Sequence, residues 1–559
     1  MRRPLPYVFK PHERPTMPGS PANPEHPSHR RLGYFGIGCL IGVTGGLGNA
    51  LITVNLSIVQ GSLGLDSREA AWLTAAYYMT NVTANLLLVK YRQQFGIQRF
   101  MRFCLVGYAL AAILHLFVHQ FWSSVTVRAF SGISAAGLST MTILYLMQAM
   151  PAAKRLAGVM LGISIPQLAT PIARIVSPAL LEWGDWRMAY YFELGLALAT
   201  LAAVWSLAVP PSEREKVFEK SDFVTFFLLA PGLWLLVAVL TQGRIQWWTE
   251  QAWIGWSLAG SIILIAAALA FEHSRPNPLI NTRWLGKREM VRLMAVAASV
   301  RILLSEQTYG SVGLLTLFGM LNDQMVVLNT IILLASLAGL AVMVLTFNPN
   351  NLARPISIAV ALIAIGAFRD ATATNLTRPE NLYVSQAIIG FASIYFLGPA
   401  MIIGISRTLL AGPRHFISFV VLFSISQSIG GLIGAAFLGT FQVMREKFHS
   451  HAIVQSIVAT DPLVAIRLRQ GTGAVGSVVG DPVLRTAEGA ALLAQQASRE
   501  ANILAFNDVF LLVGIMASLA FLWSLSIRFR IWRRGELSPV ILLQRKMQQA
   551  QQSSGGSAQ

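Results

Sequence analysis

Apolar residues gather into fourteen stretches along this 559-residue chain, with short polar or charged segments between them. The stretches fall near 34–58, 70–90, 100–118, 124–150, 156–180, 188–209, 223–243, 252–271, 291–317, 325–347, 356–372, 382–406, 416–440 and 505–529. Most approach or exceed the roughly 20 residues that carry an α-helix across the hydrocarbon core. Hydrocarbon offers the backbone no hydrogen-bond partner, so a spanning chain must be helical or a closed barrel. Barrel strands alternate apolar and polar residues over about 10 positions, and these runs do not. The pattern predicts an all-α polytopic membrane protein.

The loops predict its orientation. With both termini cytoplasmic, the inner loops carry Arg92, Arg99, Lys154, Arg155, Arg214, Lys216, Lys220, Arg275, Arg283, Lys287, Arg288, Arg354, Arg407 and Arg414. The short outer loops carry only Arg68, Arg187, Arg244 and Arg378. That bias is the positive-inside pattern. Trp122, Trp183, Trp186, Trp247, Trp248 and Trp253 then form an outer aromatic belt. The expected organisation is a cytoplasmic tail (1–33), a six-helix lobe (34–209), two inserted helices with a linker (210–290), a second six-helix lobe (291–529) and a cytoplasmic tail (530–559). Residues 1–31 are basic, Pro-rich and polar, and predict a disordered tail rather than a cleavable signal. Residues 441–504 predict a flexible outer loop with one surface helix near 484–501. Their stretch GTGAVGSVVGDP lacks the Gly-Lys-Ser/Thr of a phosphate loop.

Composition narrows the function. Charged residues are 12% of the chain against 54% hydrophobic, where a soluble protein carries about 25% charged. The net charge of +18 does not point to nucleic acid, because the basic residues sit in loops and tails. Cys39 and Cys104 both fall inside spans, which supports neither a disulfide framework nor a thiol metal site. His115 and His119 are four apart on helix 3, a weak metal pair at most. No catalytic constellation appears, so an enzyme is not expected.

Ionisable residues inside the spans are the informative exceptions, because charge in hydrocarbon is costly and marks function. They are Arg128, Arg174, Glu193, Arg301 and Glu306, with Arg369–Asp370 near the outer end of helix 11, where they predict an end-of-helix pair. The stretch RILLSEQTYG (301–310) concentrates the signal. Five residues apart on a helix is about 140°, so Arg301 and Glu306 cannot face each other and each needs a partner elsewhere. Arg301 shares a stripe with Ser305 and Tyr309. Pro166, Pro171 and Pro178 surround Arg174, and interrupted helices of this kind lie near transporter binding sites. Gly430 and Gly434 in helix 13, and Gly132 and Gly137 in helix 4, predict close packing.

Taken in order, these residues resemble the fourteen-helix drug:proton antiporters of the major facilitator superfamily, EmrB/QacA type. The likeness covers roughly 33–530. Its signs are AAWLTAAYYMT (70–80), Arg128 within VRAFSGISAAG, GDWRMAYYFELG (184–195), NPLINTRWLGKREM (277–290) and SQSIGGLIGAA (426–436). The departures are specific. In GLGNALITVNLS (46–57) Asn55 fits the family's helix 1 motif, but its acid is missing. The helix 2–3 loop motif is reduced to VKYRQQFGIQRF (89–100). ARIVSP (173–178) puts Arg174 where the antiporter motif has proline, and Glu193 stands where the family tends to have asparagine.

The resemblance implies a major facilitator superfamily fold with fourteen transmembrane helices and both termini inside, in a bacterial inner membrane. It implies proton-driven export of hydrophobic or aromatic, including acidic, small molecules, with no cofactor beyond the proton gradient. Glu306 is the expected proton carrier and Glu193 the reserve. Arg301, Arg128, Arg174, Asn55, Tyr77, Tyr309 and Gln427 are the substrate or counter-charge candidates. Expected partners are the bilayer, the substrate, and a periplasmic membrane-fusion adaptor with an outer-membrane channel. Uptake by symport, and a non-transporting scaffold or sensor, are the rival expectations.

Overall fold

In the computed structural model, Glu13 and residues 19–555 are described, except 413, 414, 459 and 536. Arg414 and most of the chain before Gly19 therefore lie outside the described residues. The fourteen apolar stretches correspond in order to α1 (Ser28–Val54), α2 (Ser67–Phe95), α3 (Ile97–His115), α4 (Phe121–Ala149), α5 (Arg155–Glu182), α6 (Met188–Ser206) and α7 (Lys220–Gln242). They continue with α8 (Ala252–Ser274), α9 (288–317), α10 (Val326–Leu345), α11 (Ala353–Asp370), α12 (Pro379–Ala411), α13 (Phe416–Ser456) and α14 (Pro482–Arg533). Eleven are long and apolar enough to cross a membrane. Of the others, α2 is diluted by polar residues, α9 is broken into pieces, and α11 carries Arg354, Arg369 and Asp370 within 18 residues. No strand occurs among the described residues, only an isolated bridge between Pro21 and Ser212.

Two helical lobes, α1–α6 and α9–α14, meet along a seam. Small residues set the approach of helices within each lobe. A Cβ on Gly434 would fall 2.1 Å from Ser305 Oγ of α9, and one on Gly137 would fall 2.2 Å from Cys104 Sγ of α3. Lipid supplies no hydrophobic drive between helices, so such close packing carries the association. The α7–α8 pair fills the side of the seam. Leu229 and Leu233 of α7 and Ala268 of α8 cluster with Val82 and Leu86 of α2 and with Val421 and Ile429 of α13. The outer face of α8 exposes Trp256, Ile262 and Ile263, as a lipid-facing helix does.

Charges fix the end of the bundle that holds both termini, the terminal end. Lys90 Nζ lies 2.6 Å from Asp222 Oδ2, and Arg275 reaches Asp222 at 3.0 Å, Glu219 at 2.9 Å and Glu272 at 2.6 Å. Asp222 also accepts from the Glu219 backbone N–H at 2.8 Å, inside the first turn of α7. An acid there meets the positive end of the helix.

Two expectations for the connecting segments are overturned. Part of the N-terminal tail is ordered against the lobe, with Ser20, Ala22 and Asn23 buried. Its backbone finds partners: Gln148 Nε2 donates to Ala22 O at 2.9 Å, Arg155 Nη2 to Asn23 O at 3.2 Å, and Ala22 N to Pro211 O at 3.0 Å. Residues 441–504 are also mostly helical. α13 runs on to Ser456, α14 starts at Pro482, and a separate helix, Pro462–Ala474, lies between them. One of the glycines that suggested flexibility serves contact instead, since a Cβ on Gly471 would sit 3.1 Å from Gly489 O.

Candidate functional site

α9 breaks where its sequence turns polar. Regular helix ends at Leu303, a π-helical turn covers Glu306–Ser311, and α-helix resumes at Val312. Such turns inside α-helices are frequent at functional sites. Ser311 Oγ returns a hydrogen bond to Gln307 O at 2.9 Å. Gly310 admits Phe510 of α14, whose ring would lie 2.8 Å from an added Cβ.

The break aims Glu306 away from Arg301. Gln386 of α12 donates its Nε2 to Glu306 at 3.1 and 3.3 Å and to Asp370 Oδ2 of α11 at 2.8 Å. All three side chains are buried. Asp370 Oδ1 and Gln386 Oε1 have no hydrogen-bond partner among the described residues. One amide thus lies between two carboxyl groups, neither of which has an ion-pair partner among the described residues. The expected Arg369–Asp370 pair is corrected: Arg369 faces outward and Asp370 inward, because adjacent residues on a helix point about 100° apart.

Arg301 belongs to the opposite stripe of α9. It is half-buried, and its Nε donates to Gln427 O of α13 at 3.2 Å. Its aliphatic stem rests on Gly430 and its guanidinium on Gly431, where added Cβ atoms would come within 3.2 and 3.3 Å of it. Tyr78 of α2 is near enough to interact with it electrostatically. Gln427 Nε2 is buried without a partner. Tyr309, on the same stripe, turns to Gln442 at 3.4 Å, with the Arg244 guanidinium 5.4 Å over its ring.

The first lobe holds its charges differently. Arg128 is fully buried and donates to Leu73 O at 3.3 Å, Gly48 O at 3.1 Å and Asn49 Oδ1 at 2.6 Å, with its guanidinium 4.7 Å from the Tyr77 ring centre. Glu193 is buried, with neither oxygen hydrogen-bonded. The Tyr108 hydroxyl beside it is directed to Thr44 O at 3.0 Å. Gly48 makes room for both, as a Cβ there would lie 2.1 Å from Tyr108 Oη and 2.6 Å from Glu193 Oε1. His115 stacks on Tyr190 at 4.4 Å, while His119 bonds Phe117 O, so the two histidines form no common site.

The lobes touch on both sides of this polar layer. At the end opposite the termini, Asn322 accepts from Arg174 Nη1 at 2.7 Å and donates to Asn55 Oδ1 and Val54 O, both at 3.0 Å. Asn55 also donates to Ser177 Oγ at 2.7 Å. α5 is interrupted beside this link, at Ile165–Leu168 around Pro166. Toward the terminal end, Gly398 of α12 packs on Met160 of α5 and Met343 of α10, with 2.9 and 2.6 Å to an added Cβ. The predicted residues therefore divide between a central layer (Glu306, Arg301, Gln427, Arg128, Tyr77, Glu193), a seam link (Arg174, Asn55) and a more distant contact (Tyr309). Sequence reasoning missed Gln386, Asn322, Asn49 and Tyr78. Asn322 and Gln386 gave no charge signal, although Gln386 lies in an apolar run.

Comparison with known proteins fits this architecture. The chain is 23% identical over 470 residues to a multidrug resistance protein B homolog of Mycobacterium tuberculosis, covering 82% of this chain and 84% of that one. It is 23% identical over 263 residues to the efflux pump FUS6 of Gibberella moniliformis, covering 45% and 46% respectively. Its fold is similar to that of tetrameric PepTSo2, with a TM-score of 0.55 at 12% identity, covering 90% of this chain and 99% of that one. The family model described as the Major Facilitator Superfamily matches residues 38–435. With a buried polar layer between two helical lobes and this match over more than half its length, the chain is a multi-pass membrane transporter of the major facilitator superfamily.

Proposed function

We propose that the protein is a proton-coupled exporter of hydrophobic or aromatic, including acidic, small molecules, and that it works in a bacterial inner membrane with its terminal end in the cytoplasm. The observation that carries this reading is the Glu306–Gln386–Asp370 cluster. Two carboxyl groups joined through one amide in a buried layer repel each other when both are charged, which suits a site that takes up and gives back a proton. Opening the seam toward one side or the other would change the solvation of the pair and let that proton exchange. The cluster spans α9, α11 and α12, and motion of one lobe against the other is the established way such folds alternate access. Export rather than uptake is supported by relatives named for multidrug resistance and efflux.

The test is substrate-driven proton flux in proteoliposomes. Wild-type protein acidifies or alkalinises the lumen only with substrate present, and Glu306→Gln abolishes that flux with an unchanged melting temperature. Normal flux in Glu306→Gln sinks the assignment of the carrier. Substrate accumulation in a deletion strain separates export from uptake. The helical extension beyond the membrane, with Phe448, Val478 and Val483 exposed, is the surface on which a periplasmic membrane-fusion adaptor and its outer-membrane channel would engage.

A further inference from the structure

Three arginines inside the spans stand without an acid partner. Arg128, Arg174 and Arg301 each lack a carboxylate within ion-pair distance among the described residues. Arg128 is nevertheless satisfied, by two carbonyls and an amide oxygen. Arg174 is tied to the seam link. Arg301 differs from both. Among the described residues only its Nε is hydrogen-bonded, and the residue stays partly exposed. A cation left so inside a bilayer-spanning bundle is expensive unless something negative visits it.

Two further donors belong to the same place. Gln427 supplies the carbonyl that steadies Arg301, and its own Nε2 is buried with no acceptor. Tyr78, on α2 of the opposite lobe, is near enough to Arg301 to interact with it electrostatically. Its hydroxyl oxygen accepts from Asn49 Nδ2 at 3.3 Å, and its proton has no acceptor among the described residues. Asn49 is in turn oriented by Arg128. Donors from α2, α9 and α13 thus face the seam between the lobes without an acceptor. A planar guanidinium binds carboxylates bidentately.

We propose that Arg301, Gln427 and Tyr78 form a binding site for the carboxylate of a small organic anion, held between the two lobes. The site deepens the exporter reading and rests on it for its role in transport, but anion binding is measurable without transport. The ring of Tyr78, itself only partly buried, lies beside the site, which suits a ring attached to the carboxylate. The Glu306 cluster lies on the other stripe of α9 and does not neutralise the site.

The experiment uses the purified full chain in detergent and three probes that share one ring: benzoate, benzamide and benzylammonium. Binding is followed by calorimetry in gluconate buffer, with chloride added as a fourth arm. Benzoate is expected to bind saturably, benzamide at least about tenfold more weakly, and benzylammonium not at all, as the loss of a charge-assisted hydrogen bond dictates. Arg301→Gln should bring benzoate down to the benzamide level, and Arg301→Lys should retain part of the preference. Should Arg301→Gln not fold, Tyr78→Phe and Gln427→Leu each report the same site through a several-fold loss for benzoate alone. Equal binding of benzylammonium, unchanged benzoate affinity in these variants, or displacement of benzoate by equimolar chloride would overturn the proposal. Absence of proton flux with intact benzoate selectivity would count against the exporter reading and leave the anion site standing.

Discussion

The two lobes each bury an arginine and at least one acid in the same layer, yet they treat them differently. In the first lobe Arg128 is locked by three hydrogen bonds and a ring, and Glu193 stands with no bonded partner. In the second, Arg301 is bonded through one nitrogen and the acids come as a pair held by a shared amide. A fully satisfied buried charge rigidifies what surrounds it, because moving it strands several polar groups at once. A half-satisfied one can change partner at low cost. In the proposed cycle the first lobe would serve as the scaffold and the second as the part that exchanges ligands and protons.

The sharpest way to break this contrast is to neutralise one acid in each lobe. Glu306→Gln is expected to reduce substrate-driven proton flux to the level of empty vesicles. The next largest effect concerns stability. Arg128→Gln removes hydrogen bonds from a charged donor and leaves Asn49 and two carbonyls to find others, which costs about 3 kcal/mol. Arg301→Gln loses one such bond and should cost about 1 kcal/mol. Denaturation monitored by intrinsic fluorescence compares the two, and equal costs would erase the distinction between the lobes. Asn322→Ala comes third. It releases Arg174, Asn55 and Val54 together, so amide exchange across 173–180 should accelerate about tenfold while the Glu306 region keeps its protection. The smallest effect is expected for Glu193→Gln, which should keep flux within about threefold of wild type, since the amide fills the same space. A complete loss there would transfer the coupling role to the first lobe.

Much of this architecture was legible in the chain. Apolar runs of spanning length located most helices to within a few residues, though α13 and α14 extend far past theirs, and the 140° between Arg301 and Glu306 foretold that they would seek different partners. What was hidden depends on how helices meet. Asp370 was read with its neighbour Arg369, yet only inter-helix register shows that it faces Glu306. The π-helical turn changes the phase of α9 beyond any regular wheel. Neutral side chains such as Asn49, Gln386 and Asn322 carry no sign in a hydropathy profile, and the structure uses them as the connectors. Residues 441–504 misled for another reason. Glycine marks both flexible loops and close helix contacts, and Gly471 against Gly489 is of the second kind.

The segment from Ser20 to Asn23 has a practical bearing on every one of these measurements. It is clasped by Gln148 at the end of α4, by Arg155 at the start of α5 and by Pro211 beyond α6, and His26 adds a 2.7 Å bond to the same glutamine. It behaves as a girdle around the base of the first lobe. Purification handles fused at the amino terminus, or truncations made to trim an apparently featureless leader, would loosen that girdle once they reach Ser20. The reporter for a faithful assay therefore belongs after the closing helix Pro539–Gly555.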